Sequence, residues 1–305
     1  MAKSSKGMRK SISYWSFPGG LDNRADIPAV FAEAKRLGFR TVELGISDTG
    51  QLKLDTSKSE CQALAAAAKA AGVEIGSLAT GLYWACSLTA SKKETRDRAI
   101  EITKLMLEKA RWLGTDALLV IPGAVSVFFL PDAEIVPYDE ALARSRESLK
   151  QCVKFAEKQR VTMALENVWN KMLLSPVEMR DFVDAFRSKR VGVYFDTGNT
   201  MITGYPEHWI KILGRRIARV HLKDFKWRFE GDVNKIRGFR GFAAGQAWGT
   251  MAAFCDLGAG DVNWPAVMAA FRKSGYKGPL TAEMLPPGPG LIERTSAFMD
   301  KLMAM

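Results

Sequence analysis

The chain has 305 residues, 47% of them apolar and 25% charged, the proportions of a globular protein with enough core to need no covalent staples. Its four cysteines, Cys61, Cys86, Cys152 and Cys255, form no CxxC pair, which excludes a Cys-rich zinc module and points to reduced thiols in a cytoplasmic setting. Basic residues exceed acidic ones by 11, a balance that draws anionic partners such as phosphorylated metabolites and that also suits nucleic acid.

The N-terminal MAKSSKGMRK is basic and has no apolar h-region, so no signal peptide is expected. Residues 1–10 read as a flexible N-terminus, and residues 11–305 as one domain. No apolar run is long enough to cross a bilayer, so no membrane partner is expected. SISYW supplies a first strand. One module then recurs: an amphipathic helix, a basic or glycine stop, and a short β-rich run. Its joints are RLGFRTVEL, AAGVEIGSL, WLGTDALLV, KQRVTMALE, SKRVGVYFD, GRRIARVHL and SGYKGPLTAE. Gly38, Gly72, Gly114 and Gly275 fall where a helix end wants a residue that accepts positive φ. Between the joints, Ala99, Ile102, Met106, Ala110 and Leu113 make one apolar stripe at helical period, and Leu142, Leu149, Cys152 and Ala156 another.

Runs such as VTMAL and VGVYF are too apolar for half-exposed strands and read as parallel strands buried on both faces. Alternating β and α leaves a closed barrel or an open doubly wound sheet. Polar residues recur at the C-terminal ends of strand after strand: Glu43, Glu166, Asp196, His221 and Glu283. A barrel gathers those ends at one mouth, and no GxGxxG follows the first strand to favour the open sheet. The expectation is an α/β fold, a single (β/α)₈ TIM barrel with a long loop after strand 7. That loop, from Phe225 to Asn263, is rich in Gly, aromatic and basic residues and reads as a lid over the mouth. It offers Lys226, Arg228, Lys235, Arg237 and Arg240 as phosphate partners.

Glu166, Asp196, His221 and Glu283 end four consecutive predicted strands. Three carboxylates and an imidazole suit one divalent metal ion, Mn²⁺ foremost, with Mg²⁺, Co²⁺ and Zn²⁺ also fitting the donor set. Packed together without a cation, the carboxylates would repel and raise one another's pKa. Singly, each residue is as well explained by a cap or a salt bridge. The set of four carries the argument.

ENVWNKMLLSP, FDTGN, VHLKDF and LGAGDVNWPAVMAAFRKSGYKGPLTAE resemble the sugar phosphate isomerase/epimerase family with the xylose-isomerase-like barrel, and the likeness extends through SISYW, VELGI and GLYWACSL. It implies a divalent-metal-dependent isomerase or epimerase of a keto-sugar or sugar phosphate, transferring a proton through a metal-stabilised enediolate. Carried onto this chain, the metal ligands are Glu166, Asp196, His221 and Glu283, and Glu166 and Glu283 form the catalytic acid/base pair. Many members read Asp-x-x-His at the sixth strand, where this chain has Asn199 three residues after Asp196. Asn cannot carry a proton, which keeps open a dehydratase acting on a keto-sugar or inosose.

Substrate-binding candidates are Glu43, Trp169, Asn170, Lys171, Asn199, Lys223 and Asp224, with Tyr83 and Trp84 as walls of the mouth. An endonuclease IV-like repair enzyme would need a histidine-rich three-zinc site, and the chain has two histidines, His208 and His221, so the expected partner is a small sugar rather than nucleic acid. A sugar-binding barrel without catalysis would not need two opposed glutamates beside a metal. Self-association into a homo-oligomer stays open.

Overall fold

The computed structural model describes residues 7–127, 129–130, 132–227 and 252–305. Eight parallel strands close into a ring: β1 (Arg9–Ser13), β2 (Thr41–Gly45), β3 (Glu74–Ala79), β4 (Ala117–Val120), β5 (Thr162–Glu166), β6 (Val191–Asp196), β7 (Ile217–Leu222) and, last in chain order, β10 (Pro279–Ala282), which pairs with both β7 and β1. The expected barrel is the observed one.

Around the ring lie α1 (Ile27–Arg36), α2 (Lys58–Ala71), α3 (Lys93–Leu113), α4 (Tyr138–Gln159), α5 (Pro176–Asp184), the single turn α6 (Thr197–Thr200), α7 (Pro206–Leu213), α8 (Trp264–Ser274) and α9 (Leu291–Ala304). The α3 stripe read from the sequence is buried throughout. On α4 the buried face is Ala141, Ser145, Ser148, Leu149, Cys152 and Ala156, with Leu142 half-buried at its edge. Gly72 and Gly114 cap α2 and α3 at φ 77° and 80°, a conformation in which a Cβ would be strained.

β1 begins at Arg9, two residues before the expected boundary at residue 11. Lys10 is buried, and its ammonium reaches Leu37 O at 3.1 Å, Ser296 Oγ at 2.8 Å and Asp300 Oδ1 at 2.7 Å. Those contacts tie α9 to the first strand, so Arg9 and Lys10 belong to the barrel.

After β7 the chain forms an antiparallel ribbon, β8 (Asp224–Trp227) with β9 (Ala252–Cys255), pairing Phe225 with Phe254. This ordered stem replaces the irregular start expected for the loop. Residues 228–251, including Arg228, Lys235, Arg237 and Arg240, lie outside the described residues. Lys226 is exposed and pairs with Asp261 at 2.6 Å.

Candidate active site

The strand ends place the four expected ligands together. Glu166 is the last residue of β5 and Asp196 the last of β6; His221 is opposite Asp196 on β7, and Glu283 follows β10. One donor atom from each lies within 4.8 Å of the others, and all four residues are buried. His221 Nδ1 is 3.2 Å from Glu166 Oε1, 3.1 Å from Glu283 Oε2 and 3.9 Å from Asp196 Oδ2. Lys223 Nζ sits beside the same oxygens, 3.0 Å from Asp196 Oδ2 and 2.5 Å from Glu283 Oε2.

The electrostatics follow from burying these charges side by side. Burial pushes the Glu166 carboxyl up to about 7, against the pull of His221 and Lys223. Asp196 is raised for the same reason. At Glu283 burial again acts upward, but His221 and Lys223 outweigh it and hold that carboxyl well below its ordinary range. Burial would lower His221, yet Glu283 and Glu43 keep the imidazole well above its usual value. Three carboxylates at this spacing need positive charge among them. Lys223 and the charged form favoured at His221 each supply one unit; a divalent ion would supply two.

The residues fit such an ion. Asp196 Oδ2 and Glu283 Oε2 are buried oxygens that accept no well-directed hydrogen bond, although Lys223 lies close, and buried acceptors of that kind are rare unless something else engages them. The other Asp196 oxygen is committed: Oδ1 caps α6 by accepting from Asn199 N at 2.8 Å. Asn167, unremarked in the sequence, fixes the Asp196 backbone from both sides, donating Nδ2 to its carbonyl at 2.9 Å and accepting its N–H at 2.8 Å.

A cavity of about 530 Å³ opens at the mouth, lined by Glu166, Glu283, Lys223, Asn199 and a wall of Trp15, Trp84, Trp169 and Phe254. Trp169 stacks on Phe254 with centroids 4.8 Å apart and donates Nε1 to Asn199 O at 3.1 Å. Trp84 is a wall, as expected. Tyr83 is not: it is buried away from the cavity with its hydroxyl on Thr103 at 2.8 Å. Asn199 both turns the chain and faces the cavity, and its Nδ2 is spent on Asn167 O at 3.0 Å.

Four other candidates are placed away from the cavity. Asn170 is buried and ties its loop to the one after β4, donating to Gly123 O at 2.6 Å and accepting from Met172 N at 3.0 Å. Lys171 is exposed beyond the cavity lining, on backbone turned to φ 56°. Asp224 is buried under the ribbon, accepting from Phe225 N, Gly258 N, Val262 N and Trp264 Nε1 at 2.9, 2.8, 3.2 and 2.9 Å. Glu43 lies fully buried below the group of four. Its strand continues to Gly45, so it sits two residues deeper than a true strand-end side chain. His208 is exposed on α7 and takes no part in the cluster.

Comparison with known proteins agrees with this architecture. The sequence model of the xylose isomerase-like TIM barrel family matches residues 31–302. The chain is similar to the L-ribulose-5-phosphate 3-epimerase UlaE of Salmonella paratyphi C (strain RKS4594), at 25% identity over 254 residues, 82% of this chain and 79% of the relative. Among solved structures it resembles D-psicose 3-epimerase from Clostridium cellulolyticum H10 with D-tagatose, at TM-score 0.75 and 17% identity, covering 97% of this chain and 99% of that one. It also resembles 3-keto-D-glucoside 4-epimerase YcjR from E. coli, at TM-score 0.71 and 15% identity, covering 98% and 100%. At those identities the structures speak for the fold alone.

Proposed function

We propose that this chain, which belongs to the xylose isomerase-like TIM barrel family, is an isomerase or epimerase of a small keto-sugar or its phosphate, with one divalent metal ion held by Glu166, Asp196, His221 and Glu283. The observation that carries the reading is the split within that set. Glu166 and Glu283 line the mouth cavity, whereas Asp196 and His221 lie beneath it. A centre serving only to bind metal has no need to turn two of its carboxylates toward a substrate.

The curated relative's name supports the same chemistry. A ribulose-phosphate 3-epimerase inverts a carbon next to a ketone. A divalent ion, Mn²⁺ best matching the donors and Mg²⁺, Co²⁺ or Zn²⁺ also suited, would polarise that ketone and acidify the neighbouring C–H. Glu166 and Glu283 stand on strands separated around the ring by β6 and β7, so they approach a bound carbon from different sides. One removes the proton and the other returns one to the opposite face. Lys223 and Asn199 offer the polar contacts, and Trp169 on Phe254 offers a flat wall for a sugar face. Phe254, in the described stem of the long segment after β7, forms part of the cavity wall.

Asn199 favours one second reading. With its amide committed to Asn167 and no ionisable group of its own, it cannot relay a proton, so the same pair of glutamates would suit dehydration of a keto-sugar or inosose. A three-zinc nuclease finds no support, because the metal-competent group among the described residues is this single set of four. No helix of the described residues is long and apolar enough to cross a membrane. The test is to load the protein with Mn²⁺ and incubate it with a panel of ketoses, 3-keto-glycosides and their phosphates. Products epimeric or isomeric at the carbon beside the ketone support the proposal. Loss of water without epimer favours the dehydratase, and inertness toward the whole panel refutes both.

A further inference from the structure

The metal reading leaves one buried charged group without a task. Glu43 is fully buried, does not line the cavity, and is none of the four ligands. Its Oε1 lies 2.8 Å from His221 Nε2, on the side of the ring facing away from the other ligands. Its Oε2 accepts from Ser77 Oγ at 2.9 Å and from the Tyr194 hydroxyl. The Tyr194 ring lies 4.4 Å from the imidazole, centroid to centroid, tilted at 50° to it. The strand registers shift between Val42 and Glu43 and between Val193 and Tyr194, and irregularities of this kind re-aim side chains. Four strands, β2, β3, β6 and β7, thus converge on one carboxylate beneath the cluster.

We propose that Glu43 is a positioning residue for the metal centre: it accepts a hydrogen bond from His221 Nε2–H and so fixes the Nδ1 lone pair toward Glu166, Asp196 and Glu283. The hydrogen-bond inventory requires this direction. Both hydroxyls spend their protons on Oε2, and a carboxylate has none to give, so the imidazole must donate at Oε1. A neutral imidazole has one proton; holding it on Nε2 leaves Nδ1 free to bind metal. Carboxylate–histidine–metal relays of this form raise ligand basicity and fix ring orientation, and losing the carboxylate weakens metal binding about 10–100-fold. The inference rests on the metal-centre reading above.

The chain's two histidines make the test direct. Protein labelled with ¹⁵N-histidine is titrated with Zn²⁺, and His208→Asn removes the second imidazole from the spectrum. In the wild type the His221 proton is expected on Nε2 and zinc on Nδ1. Glu43→Gln, whose amide can also donate, is expected to weaken Zn²⁺ binding by about 10–100-fold and to mix the tautomers. The proposal is overturned if wild-type His221 carries its proton on Nδ1 with zinc on Nε2. It is equally overturned if Glu43→Gln keeps wild-type affinity, or loses affinity with the proton still fixed on Nε2. Should Glu43→Gln fail to fold, the wild-type spectrum alone decides. A wild type that takes up no zinc removes the metal reading, and this proposal with it.

Discussion

Asp224 is where a substrate-binding reading and a structural one part most sharply, and Asp224→Ala separates them. The carboxylate is fully buried and accepts four hydrogen bonds, three from backbone N–H groups and one from the Trp264 indole. Removing it strands those donors, and each buried unsatisfied donor costs about 1–3 kcal/mol. Gly258 is exposed and can turn to water, so the full sum is not reached, and a loss of about 3–6 kcal/mol is expected. At this chain length roughly 2 °C of melting temperature accompanies each kcal/mol, giving a drop of about 6–12 °C. Gly260→Ala should act in the same direction, since a Cβ there would come within 2.0 Å of Asp224 Oδ1. The assay is calorimetric melting of both variants alongside metal content and, once a substrate is known, KM. A melting temperature within about 2 °C of wild type, with KM raised, would refute the structural assignment and restore Asp224 to the substrate site.

Four further outcomes are expected. Asn170→Ala should lose about 1–3 kcal/mol of stability by freeing Gly123 O and Met172 N, with metal content unchanged; a raised KM at wild-type stability would show contact with substrate instead. Wild-type protein should hold about one equivalent of divalent metal, and His221→Ala or Asp196→Ala should lose most of it by elemental analysis. Chelation should lower stability by about 2.7 kcal/mol relative to protein held at a hundredfold excess of metal over Kd; identical melting with and without metal would count against a structural site. In the native protein at pH 8, Cys61 and Cys152 should resist a thiol reagent until unfolding, because both are fully buried and burial pushes the Cys152 thiol up to about 12.

Much of this was legible in the sequence because the barrel writes one signal repeatedly. Apolar runs followed by a polar residue mark strand after strand, and Glu166 and Asp196 prove to be the terminal residues of β5 and β6. Depth was harder to read. Glu43 looked equivalent to them, but two more residues of β2 follow it, which drops it beneath the cluster. Tyr194 gave no sign at all: within VYFD it reads as another large strand residue, and its hydroxyl meets Glu43 across a separation of 151 residues. Asn170 and Asp224 are turned away from the cavity for a different reason. A polar residue just past a strand end can face the cavity or turn back to satisfy its own loop's backbone, and sequence does not distinguish the two. The ribbon stem was missed because FKW and AAFC are short and the Gly-rich stretch between them hides their pairing.

The central claim is that Glu166 and Glu283 move a proton at a carbon beside a metal-polarised ketone. Its most direct measurement is solvent exchange: Mn²⁺-loaded protein incubated in D₂O with unphosphorylated and phosphorylated ketoses and 3-keto-glycosides, read by NMR for deuterium beside the carbonyl. The account predicts deuterium at that carbon together with the epimer or isomer for at least one substrate. Glu166→Gln and Glu283→Gln should each slow product formation by about 10²–10⁴-fold with metal still bound. Absence of exchange from every sugar tried, or wild-type rates in both metal-loaded Gln variants, would contradict it.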